Sequence, residues 1–385
     1  MLRGSTLLQT LEYGPAPESD DTAREWIKQH NGRFGLFING AFVHPDGREY
    51  TPTENPATGE PLADIIEGTA DDANDAVAAA RAAFPAWSQS SGHVRAKYLY
   101  AIARELQKHI RLLAVVETID NGKTFRETRD ADTPLCVRHF YYHAGWAQLM
   151  DSELPEYRPL GVIAQVIPWN FPLLMMAWKI APALAMGNCI VLKPAPSTRL
   201  SALLFAEIIA AAGLPPGMCC THSTTTTKLK LTLNLTLARA GVVNVIPGGN
   251  DLGYQLVNHP DVDKVAFTGS TGVGRLLRQS TAGTGKKLSL ELGGKSPFIV
   301  FDSADIDSAV DGVVDAIWFN QGQVCCAGSR ALVQENIYDR FLKKLKWRME
   351  TLRVGDPLDK AMDMGAIVNC RQMETIAVCH LMSWR

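Results

Sequence analysis

The feature that most constrains this chain is an alternation, through its middle third, between short apolar runs and longer amphipathic ones. Strand-like runs at 161–167, 189–192, 242–246 and 264–267 are separated by helix-like runs at 173–185, 201–212 and 251–257. Apolar runs of that length have no polar face to offer water, so they suit a parallel sheet covered by helices. The expected class is α/β, with a doubly wound sheet. Upstream, 71–84 and 91–108 read as amphipathic helices capped by Thr69 and Ser91, both expected on one face of that sheet.

One part of the alternation competes with a membrane reading. Residues 171–192 are almost wholly apolar and approach the ~20 residues that cross a bilayer. Lys179, Pro182 and the Gly187-Asn188 break divide the run, and a charge near a helix middle costs ~2.5–3.5 kcal/mol on insertion. The run therefore reads as a buried helix, a turn and a buried strand. At 385 residues, 46% hydrophobic, the chain has material for two or three domains of ~150 residues. Its net charge is -2 with no block of like charge, so nucleic acid and membrane are not expected partners, which leaves small molecules.

The eight cysteines, Cys136, Cys189, Cys219, Cys220, Cys325, Cys326, Cys370 and Cys379, form no CxxC pair and have no partnered histidine spacing. That pattern argues against a metal site or a disulfide framework and for a reduced compartment. The N-terminus lacks a sustained apolar stretch and turns acidic at 18–21, so a cytoplasmic location is expected.

Three stretches carry chemistry. After the strand-like run ending at Phe267 comes Thr268-Gly269-Ser270-Thr271-Gly272-Val273-Gly274, leading into a helix. Such a turn aims backbone N–H groups and a positive helix end at an anion, although a simple tight turn has the same composition. Further on, Leu290-Glu291-Leu292-Gly293-Gly294-Lys295 sets a carboxylate beside two glycines, and Gln323-Val324-Cys325-Cys326-Ala327-Gly328 sets a thiol in a small polar loop. A thiol attacks a carbonyl only as thiolate, which a base on a mobile loop can generate.

Six segments in order, Ile167-Pro168-Trp169-Asn170-Phe171-Pro172, Leu192-Lys193-Pro194-Ala195, 242–248, Phe267-Thr268-Gly269-Ser270, 290–295 and 321–328, give the chain its family likeness. From about Phe37 to about Cys370 it resembles NAD(P)-dependent aldehyde dehydrogenases, and within them it looks closest to the family 16 branch. The resemblance implies a Rossmann-like NAD-binding domain and an aldehyde substrate oxidised to a carboxylic acid. It makes Cys325 the nucleophile, with Cys326 its neighbour, and Asn170 the side-chain donor to the oxyanion. Glu291 becomes the base that activates water on the thioester. It places Ile167, Pro168, Trp169 and Asn170 along the nicotinamide side and Lys193 near the adenosine ribose, and it counts Leu292 among the cofactor-binding residues. Gly269, Ser270, Thr271, Gly272, Val273 and Gly274 fall under the diphosphate. Lys179 matches a lysine near the family's active site, and a rim ion pair is the competing reading. Phe171, Met175 and Trp178 line the substrate side. Relatives form homo-oligomers.

The chain departs from the pattern in three places. Pro196 stands where many NAD-preferring relatives carry a glutamate, which leaves NADP as open as NAD. Residues 218–240 form a low-complexity insert with period-two alternation, of the kind a retained intron leaves. The resemblance fades after about Asn369, so the catalytic domain is expected to be incomplete, with exposed sheet edges and apolar surface. The expected organisation is an N-terminal extension at 1–36, an NAD(P)-binding domain at 37–290 carrying the insert, a partial catalytic domain at 291–372, and a non-family tail at 373–385. The competing functions are a catalytically inactive protein that acts by binding, and a thiol esterase or amidase, which would give no reason for the 269–274 turn.

Overall fold

A computed structural model describes residues 14–211 and 241–382. The insert at 218–240, the first residues of the N-terminal extension and the last of the tail lie outside the described residues.

The predicted alternation becomes one seven-stranded sheet. Its order is Lys287–Leu292, Lys264–Gly269, Val162–Val166, Cys189–Lys193, Val243–Val245, then the short strands Leu36–Ile38 and Ala41–Val43. The first five strands run parallel, and Leu36–Ile38 joins them antiparallel. Cys189–Lys193 is buried along its whole length, as expected of a central parallel strand whose two faces are both covered.

Helices Pro172–Ala185 and Leu200–Ala211 pack on each other and against the sheet. Helix Asn250–Asn258 connects strands in the opposite direction, and right-handed crossovers then set it on the other face. There it packs on Ala70–Ser88. The seven strand and helix runs of the alternation fall within two residues of their expected positions.

Two expectations are corrected. The first upstream helix does not stop before Pro85 but runs on to Ser88. An interior proline forfeits a backbone hydrogen bond. Trp87, 4% exposed and set edge-on to Tyr98, supplies burial that offsets the loss. The second upstream helix, Gly92–Lys108, does not share the face of the first; it packs on Thr133–Glu153, Pro172–Ala185 and Leu200–Ala211 as an outer layer. Both caps form: Thr69 donates its backbone N–H to Asp72 at 2.7 Å, and Ser91 Oγ accepts from Val94 at 3.4 Å.

Beyond the large sheet, strands Pro297–Val300 and Arg330–Val333 pair parallel and carry helices Ile306–Trp318 and Tyr338–Glu350. Val300, Ile306, Val310, Val313, Ile337 and Phe341 form a small core separate from the main one. The other face of this pair holds Ile299, Phe301 and Leu332 at 55%, 63% and 46% exposure. Among the described residues no helix is long and apolar enough to cross a membrane, and 171–192 resolves into a helix and a strand.

Candidate active site

The connections from adjacent strands Val162–Val166 and Lys264–Gly269 diverge, one leading towards Cys189–Lys193 and the other towards Lys287–Leu292. In open α/β sheets the crevice for a ligand lies at such a switch point, outside the carboxyl ends of the strands. The segment after Val166 is Ile167-Pro168-Trp169-Asn170, and the segment after Gly269 opens the helix Thr271–Ser280. Between them is a cavity of about 680 Å³.

One wall of the cavity is the glycine-rich turn. Thr268, Gly269, Ser270 and Thr271 line it, and Ser270 caps the helix by accepting from Val273 N–H at 3.3 Å. Two glycines are there for close approach. A Cβ on Gly269 would meet the Phe267 ring at 2.5 Å, and one on Gly274 would meet Leu292 Cδ2 at 2.7 Å, where the helix leans on the neighbouring strand. Gly272, Val273 and Gly274 themselves lie outside the cavity lining.

The opposite wall carries the thiol. Cys325 lines the cavity and is exposed, as is Cys326. Burial of the Sγ, and then the neighbouring Cys326, hold the Cys325 thiol above its ordinary pKa, so the resting group is protonated. Asn170 lines the same cavity, and its Nδ2 donates to Gln323 O at 2.8 Å, two residues before the cysteine. Asn320 Nδ2 in turn donates to Asn170 O at 2.8 Å. Asn320 and Gln321 both hold left-handed backbone, with φ of 48° and 55°, an uncommon state for non-glycine residues. Next to this loop, Phe171, Leu174 and Met175 pack with Phe319 and with Val324, which also lines the cavity, the Phe171 and Phe319 rings stacked at 6.1 Å. Trp178, two turns along the same helix, is 46% exposed.

Besides Gly272, Val273 and Gly274, three more predicted residues are not at the cavity. Glu291 is exposed, one residue before Leu292, which does line it. No neighbour stands within 4 Å of a Cβ built on Gly293, so the loop beyond it is open. Lys193 is 2% exposed and its Nζ is turned to Pro194 O at 3.0 Å; burial pushes its pKa down to about 8. Ile167 is buried in the main core. Lys179 bonds to the Thr268 hydroxyl, not to a carboxylate; burial lowers its pKa to about 8 against the pull of the Glu291 charge. At Pro196 the carbonyl accepts from Arg199 Nε at 2.7 Å, and Arg199 is itself paired with Glu67.

The cavity also takes in residues outside the predicted set, among them Lys295, Gln323 and Gln372. Gln372 stands in the first turn of helix Cys370–Met382, its N–H capped by Asn369 Oδ1 at 2.9 Å. Asn before a helix-forming run is a cap signal, but the family resemblance fades at this point of the sequence.

Comparison with known proteins bears on the same residues. The profile described as "Aldehyde dehydrogenase family" matches residues 42–232 and 221–379. The chain belongs to the aldehyde dehydrogenase family. The two matched stretches overlap within the undescribed residues, and the second enters the 373–385 tail. Among curated aldehyde dehydrogenases, the chain is 43% identical to the mitochondrial family 2 member B4 of Arabidopsis thaliana, over 89% of this chain and 62% of that protein. It is 42% identical to acetaldehyde dehydrogenase 2 of Cupriavidus necator, over 88% of this chain and 65% of that one. Among solved structures, the NAD+ complex of an aldehyde dehydrogenase from Bacillus cereus superposes with a TM-score of 0.81 at 36% identity. That match covers 93% of this chain and 70% of that one. The chain thus spans about three-fifths to two-thirds of the length of these curated aldehyde dehydrogenases.

Proposed function

We propose that this chain carries the machinery to oxidise an aldehyde to a carboxylic acid with NAD, or NADP, through a covalent intermediate on Cys325. The observation that carries the reading is that one cavity, at the switch point of a doubly wound sheet, is lined by the glycine-rich turn, by Asn170 and by Cys325. The residues present fit a dinucleotide: Thr268, Gly269, Ser270 and Thr271 line the cavity, and the N-terminus of helix Thr271–Ser280 faces the opening with its positive end. The NAD+ complex of the Bacillus cereus relative supports the same choice.

In this reading Cys325 Sγ, once deprotonated, adds to the aldehyde carbon and forms a tetrahedral hemithioacetal. Its oxyanion is met by the second Nδ2 hydrogen of Asn170, the first being engaged with Gln323 O. When bound, NAD or NADP supplies the hydride acceptor. Glu291, the penultimate residue of strand Lys287–Leu292 and two before Gly293, turns its exposed side chain in as the base for the water that cleaves the thioester and releases the acid. We assign 37–290 to cofactor binding and 291–372 to the thiol, on the ground that the two stretches centre on separate apolar cores.

The test follows NADH or NADPH absorbance over a panel of aldehydes with the purified chain and its Cys325→Ala variant. Turnover in the first and none in the second is expected; equal rates, or no signal from either, would remove the proposal. A thermal melt with NAD reports the cofactor site independently, because ligand at ~100 times its Kd adds ~2.7 kcal/mol.

A further inference from the structure

The turn that carries Asn170 is held, residue by residue, from a single stretch that none of the roles above uses. Asn121 Nδ2 donates to Trp169 O at 2.6 Å. Lys123 Nζ sits 3.9 Å above the Phe171 ring and 2.7 Å from Asp132 Oδ2. Glu117 Oε1 accepts the Leu173 N–H at 3.2 Å, serving the start of a helix whose own preceding residue, Phe171, has no cap to give. Glu127 Oε1 accepts the Asn320 N–H at 2.8 Å. A π-turn at Thr128–Asp132 rephases the chain so that Asp132 faces Lys123 while Glu127 faces the thiol loop.

Glu127 is the one member of this set that touches the thiol loop, not the Asn170 turn. It holds a residue in left-handed backbone, which persists only where neighbours fix it. That residue, Asn320, is also the donor to Asn170 O, and Asn170 in turn donates to Gln323 O, two residues before Cys325. The other Glu127 oxygen is buried without a partner, so packing alone gives no reason for a carboxylate here.

We propose that Glu127 is a positioning residue: by fixing Asn320 in the left-handed state it sets where the Asn170 amide stands relative to Cys325. The inference rests on Cys325 and Asn170 being the nucleophile and the oxyanion donor. A misplacement of ~1 Å in such a pair costs on the order of 100-fold in rate.

The experiment compares Glu127→Ala, Glu127→Asp and Glu127→Gln in the full chain. Glutamine keeps an acceptor oxygen at the same reach without charge, whereas aspartate keeps the charge and withdraws the oxygens by one methylene. Glu127→Gln is expected to retain kcat within about threefold, and Glu127→Ala and Glu127→Asp to lose at least about tenfold in kcat, with KM for the cofactor within about twofold. The cofactor wall at 268–271 is untouched by the change. If Asp keeps activity and Gln loses it, or if all three match the wild type, the proposal fails. The rate of Cys325 alkylation by iodoacetamide, read by peptide mass, needs no turnover and so separates this idea from the proposed reaction. Wild type and Gln should alkylate alike and Ala and Asp differently; equal rates in all four would overturn the inference even if no aldehyde is oxidised. Should Ala not fold, the Asp and Gln pair decides it alone.

Discussion

Replacing Lys123 by methionine isolates the buried charge that underlies the candidate site. Lys123 and Asp132 are each 1% exposed at the side chain and 2.7 Å apart. Methionine has similar length, so the cavity left behind is small and the effect is electrostatic. Removing one partner of a buried pair costs about 3–5 kcal/mol because a charge is stranded, and losing the cation above the Phe171 ring adds about 1 kcal/mol. Lys123→Met is therefore expected to destabilise the chain by about 4–5 kcal/mol at pH 7. The double variant Lys123→Met with Asp132→Leu, which replaces the pair by apolar side chains, should recover to within about 1–2 kcal/mol of wild type. Urea unfolding at pH 7 measures all of this. A single-variant loss under about 1 kcal/mol, or a double variant as weak as the single, would refute the reasoning.

Three other outcomes follow from named contacts. Asn170→Ala should lower kcat/KM by about 100- to 1000-fold, the effect of one oxyanion donor, with little change in the cofactor's KM; a loss under about fivefold would remove Asn170 from that role. Because burial and Cys326 hold the Cys325 thiol above its ordinary pKa, alkylation of the cofactor-free protein should still be accelerating at about pH 9, and a plateau reached by about pH 8 would contradict this. Burial opposes ionisation of Asp363, but hydrogen bonds from Arg353 and Arg126 outweigh it and lower its pKa to about 2. A depressed carboxylate stabilises the fold above its unfolded pKa and loses that effect as pH falls towards the folded value. Asp363→Asn should cost about 1 kcal/mol at pH 7, after discounting for its solvent contact, and nothing near pH 2, as read from thermal melts.

The parallel strands were legible because burial on both faces leaves a signature that few other environments share. Cys189-Ile190-Val191-Leu192 admits no polar face, and a central strand is the cheapest home for it. The passage of a helix through Pro85 was not legible, because the local rule against interior proline is overridden by Trp87, whose burial is a tertiary fact. Hydrophobic periodicity also says nothing about which helix supports which, so the outer-layer position of Gly92–Lys108 could not be read from it.

The candidate site divides in the same way. Pro168, Trp169, Asn170, Gly269, Ser270, Thr271, Leu292 and Cys325 lie far apart in sequence, yet all line one cavity, as family likeness had grouped them. Glu291 and Lys193 do not line it, because a motif fixes a position in the chain but not the direction of its side chain, and the Lys193 Nζ is turned to Pro194 O in a buried strand. The buried support from Glu117 to Asp132 went unread. Its charges look like an ordinary solvated helix face until the π-turn brings Asp132 to Lys123 and turns Glu127 towards Asn320.

The most direct test of the account is to find the acyl group. The purified chain is mixed with NAD and an aliphatic aldehyde, quenched in acid within the first turnovers, digested and mapped by mass spectrometry. A thioester-linked acyl group on Cys325, dependent on the cofactor and absent in Cys325→Ala, is the predicted result. An acyl group on Cys326 instead, or none on either cysteine while aldehyde is consumed, would contradict the central claim.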